Sequence, residues 1–103
     1  MKIDKKAIEF DWDEGNIGKN ENHGVKDNEA EEVFFDELKL VMEDEKHSPL
    51  ERRYLVWGYT RKNRRLAVNF TYRGTKIRII STRDMSRKER RFYEEKIKEN
   101  PTI

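Results

Sequence analysis

Cysteine is absent from this 103-residue chain, which excludes disulfides and thiolate metal sites. The two histidines, His23 and His47, are too few for a zinc site unless carboxylates complete it, and no metal is expected. Hydrophobic residues make up only 34% of the chain. They form no run long enough to span a bilayer and no apolar N-terminal stretch of the signal-peptide kind, so the expected compartment is the cytoplasm. No glycine-rich phosphate loop, nucleophile elbow or metal-binding signature occurs, and no cofactor is expected. Arginine is missing from the first 51 residues altogether.

That last absence points to what is present. Residues 1–51 carry 7 basic and 16 acidic side chains, a balance of −9; residues 52–91 carry 14 basic and 2 acidic, a balance of +12. All eleven arginines lie in the second stretch. A guanidinium is a planar fork that pairs bidentately with phosphate oxygens, whereas an ammonium acts as a point charge. Segregated charge of this kind fits a basic face for a polyanion. It equally fits a basic half that neutralises the acidic half within one fold. Charged residues reach 43%, a level also met in disordered chains, but the aromatic residues lie in segments with strand alternation. One folded domain spanning residues 1–103 is expected.

The periodicity predicts a strand over residues 7–12, then a weak helix over 13–22 weakened by Gly15 and Gly18, with Gly24 as a left-handed C-cap. A second helix is predicted over 27–37, capped by Asp27, with Ala30, Val33, Phe34 and Leu38 as its core stripe. Strands follow over 38–42, 53–60, 66–72 and 76–83, with a polar loop over 44–49 closed by Ser48-Pro49 and short turns between the last three strands. Ser86-Arg87-Lys88-Glu89 matches a capping box and opens a last helix, stopped by Asn100-Pro101. The expected class is α+β: an antiparallel sheet of about four to five strands, two N-terminal helices and a C-terminal helix, with helices mainly on one sheet face.

Three arginines stand out. Alternation turns Arg78 away from Ile77 and Ile79; Arg83 ends the same strand and Arg53 begins an earlier one. Around one sheet face they would hold a phosphodiester and its more highly charged transition state; as surface ion pairs they would only be structural. Arg87, Lys88, Arg90 and Arg91 crowd the start of the last helix, where cations oppose the macrodipole unless an anion binds there. His23 is a proton-transfer group by type or a capping histidine by position. Glu51 and Glu89 are acceptors at the edges of the basic segment, able to take a proton or to hold an arginine. Trp57, Tyr59, Phe70 and Tyr72 read as core or sheet surface rather than as base-stacking platforms.

Together these segments resemble the BrnT family of toxins, the toxin half of type II toxin–antitoxin pairs with a RelE-like fold. The matching pieces are Phe10-Asp11-Trp12-Asp13-Glu14, Asn20 with His23-Gly24-Val25, and Ala30-Glu31-Glu32-Val33-Phe34. They continue with Asp44-Glu45-Lys46-His47-Ser48, Glu51, Arg53-Tyr54, Gly58, Ile77-Arg78-Ile79-Ile80-Ser81-Thr82-Arg83 and Glu89-Arg90-Arg91 with Tyr93. The resemblance implies metal-independent RNA cleavage that blocks translation, a BrnA-type ribbon-helix-helix antitoxin, and operator DNA bound only through the antitoxin complex. By position it implies His23 for proton transfer, Arg53, Arg78 and Arg83 for phosphate, Glu51 as a base or a support for Arg53, and Tyr93 as a helix-positioning or RNA-contacting residue. Two departures fall at the His23 corner: Asn22 stands where the family usually has lysine, and the stretch from Asn20 to His23 is one residue short. They leave open a module that binds RNA or antitoxin, cleaves weakly or not at all, and acts mainly in operon autoregulation. A plain protein-binding domain with structural arginines is the third reading.

Overall fold

The structure, a computed structural model, describes residues 8–47 and 51–99. The start of the predicted first strand, the Ser48-Pro49 loop closure and the Asn100-Pro101 helix stop lie outside the described residues. So does the side chain of His47.

Four strands form one antiparallel sheet in chain order: β1 (Leu40–Glu43), β2 (Tyr54–Tyr59), β3 (Arg65–Arg73) and β4 (Lys76–Asp84). The alternating apolar runs and short turns dictate this meander, because neighbours joined by a few residues pair antiparallel. On β3, Leu66, Val68 and Phe70 point to one face, and Ala67, Asn69 and Thr71 to the other.

The predicted pair of N-terminal helices is corrected. Only Asp27–Glu32 is an α-helix (α1), prolonged by a 3-10 turn at Val33–Phe35. The segment predicted as a helix over 13–22 is a series of turns ending in a 3-10 turn, Lys19–His23. Gly18, at φ 68°, takes a left-handed conformation that no helix continues through. Gly24, at φ 70°, ends the 3-10 turn as expected. Asp27 does not cap its own helix; its carboxylate accepts the Gly18 N–H at 3.0 Å.

The first predicted strand shrinks to a single parallel bridge, Phe10 to Ile77. From there the chain follows the open edge of β4. Ile77 N–H donates to the Glu9 carbonyl, and Asp11 N–H to the Ile77 carbonyl. Beyond, asparagine side chains replace backbone: Asn16 Nδ2 donates to the Ile79 carbonyl (3.1 Å) and Asn20 Oδ1 accepts the Thr82 N–H (2.8 Å). An edge strand needs such cover, since unpaired backbone groups invite pairing with other chains.

Helices lie on both sheet faces, not mainly on one. On the first face, Val25, Ala30, Val33 and Phe34 pack on Val56, Leu66, Val68, Phe70, Ile77 and Ile79. On the second, the C-terminal helix α2 (Arg87–Glu99) brings Tyr93 and Ile97 against Leu40, Leu55, Trp57 and Ala67. Its capping box forms: Ser86 N–H donates to Glu89, and Glu89 N–H to Ser86 Oγ at 3.1 Å. Tyr93 is wholly buried (0% exposed), and its hydroxyl donates to Asp36 (3.0 Å) and the Leu38 carbonyl (3.2 Å). Burial first, then the Asp36 carboxylate, pushes this phenol far above its ordinary pKa. An RNA contact through Tyr93 is therefore corrected to a positioning role, pinning α2 to the sheet.

Candidate functional site

A bulge in β4 decides how the arginines are arranged. Phe70 pairs with Ile79 but Asn69 pairs with Ser81, so Ile80 is an extra residue on β4. Such an insertion reverses the alternation beyond it. Sequence periodicity places Thr82 with Arg78 and Ser81 with Ile79; the bulge exchanges them, and Thr82 is buried. Without it, Arg78 and Arg83, five positions apart, would point to opposite faces. With it, Arg78 pairs across from Thr71 and Arg83 from Ala67, both on the second face. Arg53 directly precedes β2, and its carbonyl accepts the Asp44 N–H at 2.8 Å, so the pairing of β1 with β2 runs on through it. Alternation with Tyr54 sets Arg53 on that same face.

The three arginines stem from one face, but Arg83 stems from a different row than Arg78. The row of Arg78 lies about 13 Å from that of Arg83, four β3 residues at ~3.3 Å each. The Arg78 fork, only 16% exposed, grips Asp13 through both terminal nitrogens (2.9 and 3.0 Å) and reaches Asp11 at 3.5 Å. The Arg83 fork grips Glu89 at 2.6 and 2.9 Å. These pairings raise both arginine pKa values. They hold the Asp13 carboxyl below its usual range and Glu89, bonded by Arg83 and by the Ser86 N–H, at about 2. Neither carboxylate is placed to accept a proton near neutral pH.

The other expected residues separate. Glu51 pairs with Arg73 at 3.1 Å, which engages its carboxylate at the β3–β4 hairpin end. His23 sits exposed at the end of its 3-10 turn. The next residue, Gly24, has its carbonyl held by Arg64 at 2.7 Å, and Arg64 in turn grips Asp84 at 2.8 and 3.0 Å. The His23–Gly24 corner is thus tied to the Asp84 end of β4, whose row lies about 16 Å from that of Arg78, five β3 residues at ~3.3 Å each. Arg87, Lys88, Arg90 and Arg91 are all exposed on the first turns of α2, and none makes an ion pair among the described residues.

Sequence reasoning missed Asp11, Asp13, Arg64 and Asp84. The aspartates flank Trp12 in a motif already singled out, and the pairing of an Asp-x-Asp with an isolated strand arginine was the available signal. Arg64 sits in a basic turn, Arg61-Lys62-Asn63-Arg64, with nothing local to distinguish it from its neighbours. A cleft of about 590 Å³, lined by Glu32, Phe35, Asp36, Tyr59, Thr60, Arg61 and Asn63, opens near the β2–β3 turn and includes none of the expected site residues. Among the described residues no three acidic or histidine side chains gather as a metal-binding group, and no helix is long and apolar enough to cross a membrane.

An antiparallel sheet with a helix on each side and arginines on one face defines a small α+β protein. The chain belongs to the BrnT family: the family model described as "Ribonuclease toxin, BrnT, of type II toxin-antitoxin system" matches residues 12–89. It is thus a ribonuclease toxin of that class, and membership implies an antitoxin partner. The match takes in Asp13, His23, Arg53, Arg64, Arg78, Arg83 and Glu89 and ends before Tyr93. No curated protein gives a match.

Proposed function

We propose that this toxin is an endoribonuclease that cuts single-stranded RNA without a metal and thereby blocks translation in the cytoplasm, on a RelE-like scaffold. The observation that carries the reading is the bulge at Ile80, which turns Arg78 and Arg83 onto the sheet face of Arg53. The 2′-hydroxyl of RNA supplies its own nucleophile. Its oxygen bonds to the adjacent phosphorus as the bond to the 5′-oxygen breaks; one proton leaves the 2′-oxygen and one reaches the leaving 5′-oxygen. His23 serves the proton transfer and Arg83, at the same end of β4, stabilises the charge on the phosphorus oxygens. Arg53 and Arg78 hold the strand further along. Arg87, Lys88, Arg90 and Arg91 extend the phosphate track onto α2. A BrnA-type ribbon-helix-helix antitoxin covers this face, and operator DNA is bound only through that complex.

A specific observation also favours the second reading, an RNA- or antitoxin-binding module acting mainly in operon autoregulation. Arg78 and Arg83 are already neutralised by carboxylates, and an RNA phosphate must displace Asp13 or Glu89 to reach them. One assay separates the two: the purified toxin on single-stranded RNA with EDTA present. Cleavage abolished by His23→Ala and Arg83→Ala supports the nuclease. Binding without cleavage supports the module.

A further inference from the structure

Three side chains of residues 16–27, and Arg64 from outside the segment, are devoted to fixing backbone. Asn16 donates to the carbonyls of Asp11 (2.9 Å) and Ile79 (3.1 Å). Asn20 accepts from Thr82, Asp27 accepts from Gly18, and Arg64 donates to Gly24. Asn16 and Asn20 are each 3% exposed. Yet the tip they hold, Glu21, Asn22 and His23, is exposed, and none of its side chains makes a hydrogen bond or ion pair among the described residues. Covering the β4 edge requires the two asparagines. It does not require Arg64, because Gly24 lies past the last hydrogen bond to β4.

We propose that Arg64 is a positioning residue that sets the His23–Gly24 corner against Arg83; this rests on the reading of His23 as the proton-transfer group. All three guanidinium nitrogens are engaged. Nε and Nη2 hold the two oxygens of Asp84, while Nη1 holds the Gly24 carbonyl and lies 3.4 Å from Glu29. Asp84 directly follows Arg83, and Arg83 Nη1 also donates to the Asp84 carbonyl at 3.2 Å. One rigid fork therefore ties the residue after His23 to the residue after Arg83. Lysine offers a single nitrogen on a flexible stem and cannot span both partners. The Asp84 hydrogen bonds raise the Arg64 pKa well above its ordinary value, so the fork stays charged at every working pH. A histidine whose side chain makes no hydrogen bond or ion pair among the described residues depends on its backbone for aim, and a displacement of about 1 Å costs on the order of 10²-fold in rate.

The test compares wild type with Arg64→Lys and Arg64→Met by single-turnover cleavage of a short single-stranded RNA and by ¹⁵N relaxation at His23 and Gly24. Both variants are expected to lose ~10²-fold in kcat with KM within about twofold, since Arg53 and Arg78 still hold the strand. The two amides are expected to fall from the order of a rigid backbone, ~0.85, toward ~0.6. Asp84→Asn, which loosens the fork from its other side, gives a smaller loss in the same direction and keeps the test alive if Arg64→Met does not fold. A rise in KM at unchanged kcat would mean that Arg64 contacts RNA itself and overturns the proposal. So would unchanged kcat and amide order in Arg64→Lys. If wild type cleaves no RNA, the nuclease reading falls, and the amide order alone decides whether Arg64 fixes the corner.

Discussion

The two ends of β4 present the same side chain in different company. At one end Arg78 is clasped by Asp13 and Asp11, carried on a turn of the segment that covers the sheet edge. At the other, Arg83 is clasped by Glu89, which is itself locked in the capping box of α2, and the next residue, Asp84, is tied through Arg64 to Gly24. The first clasp hangs on a turn with an exposed carboxylate. The second is built into a helix start. On the proposed nuclease reading, the helix-anchored Arg83 end serves the chemistry and the Arg78 end holds the strand.

The largest expected effect breaks that comparison if it fails. Arg83→Ala lowers the kcat for RNA cleavage by roughly 10²–10³-fold, the usual loss of a transition-state donor, whereas Arg78→Ala mainly raises KM. Single-turnover rates at saturating RNA separate the two, and equal losses of kcat would erase the distinction between the ends. Next comes the edge that sets both ends in register. Asn20→Ala leaves the buried Thr82 N–H without its acceptor and costs about 1–3 kcal/mol, read as a lower urea midpoint at unchanged slope.

Acid sharpens the comparison at the Arg83 end. The Glu89 carboxyl lies at about 2 in the folded chain against an ordinary 4.5. A depressed folded pKa means the stabilisation is complete above the unfolded value and is lost as pH falls through the folded one. The stability gap between wild type and Glu89→Gln should thus be full at pH 7 and shrink from about 4.5 toward about 2. A gap independent of pH in denaturation would show that the pairing with Arg83 contributes nothing. The smallest effect concerns Arg78. Asp13→Asn removes the charge that competes with phosphate and is expected to tighten RNA binding a few-fold at low salt, with a steeper loss of affinity as salt rises. Weaker binding would mean that Asp13 holds the fork in its working position instead. Gly15→Ala probes the same contact, because its Cβ would come 2.7 Å from Arg78 Nη2 and must displace the fork.

The amino-acid order alone carried the meander of β2, β3 and β4, the capping box at Ser86 and Glu89, the left-handed Gly24, the charge segregation and the resemblance to BrnT toxins. These are local signals: period-two alternation, turn and cap chemistry, and composition, each readable within a few residues. Only the tertiary structure decided the rest. Whether Arg78 and Arg83 share a face depends on one inserted residue, Ile80, and a bulge is defined by the hydrogen bonds of the partner strand rather than by the bulged strand's own side chains. Asn16 and Asn20 resemble any polar turn residues until the open edge of β4 supplies their partners. Tyr93 becomes core because Asp36 and Leu38, more than fifty positions earlier, converge on its hydroxyl. Periodicity assigns a side chain to a face; long-range pairing alone determines what stands there to meet it.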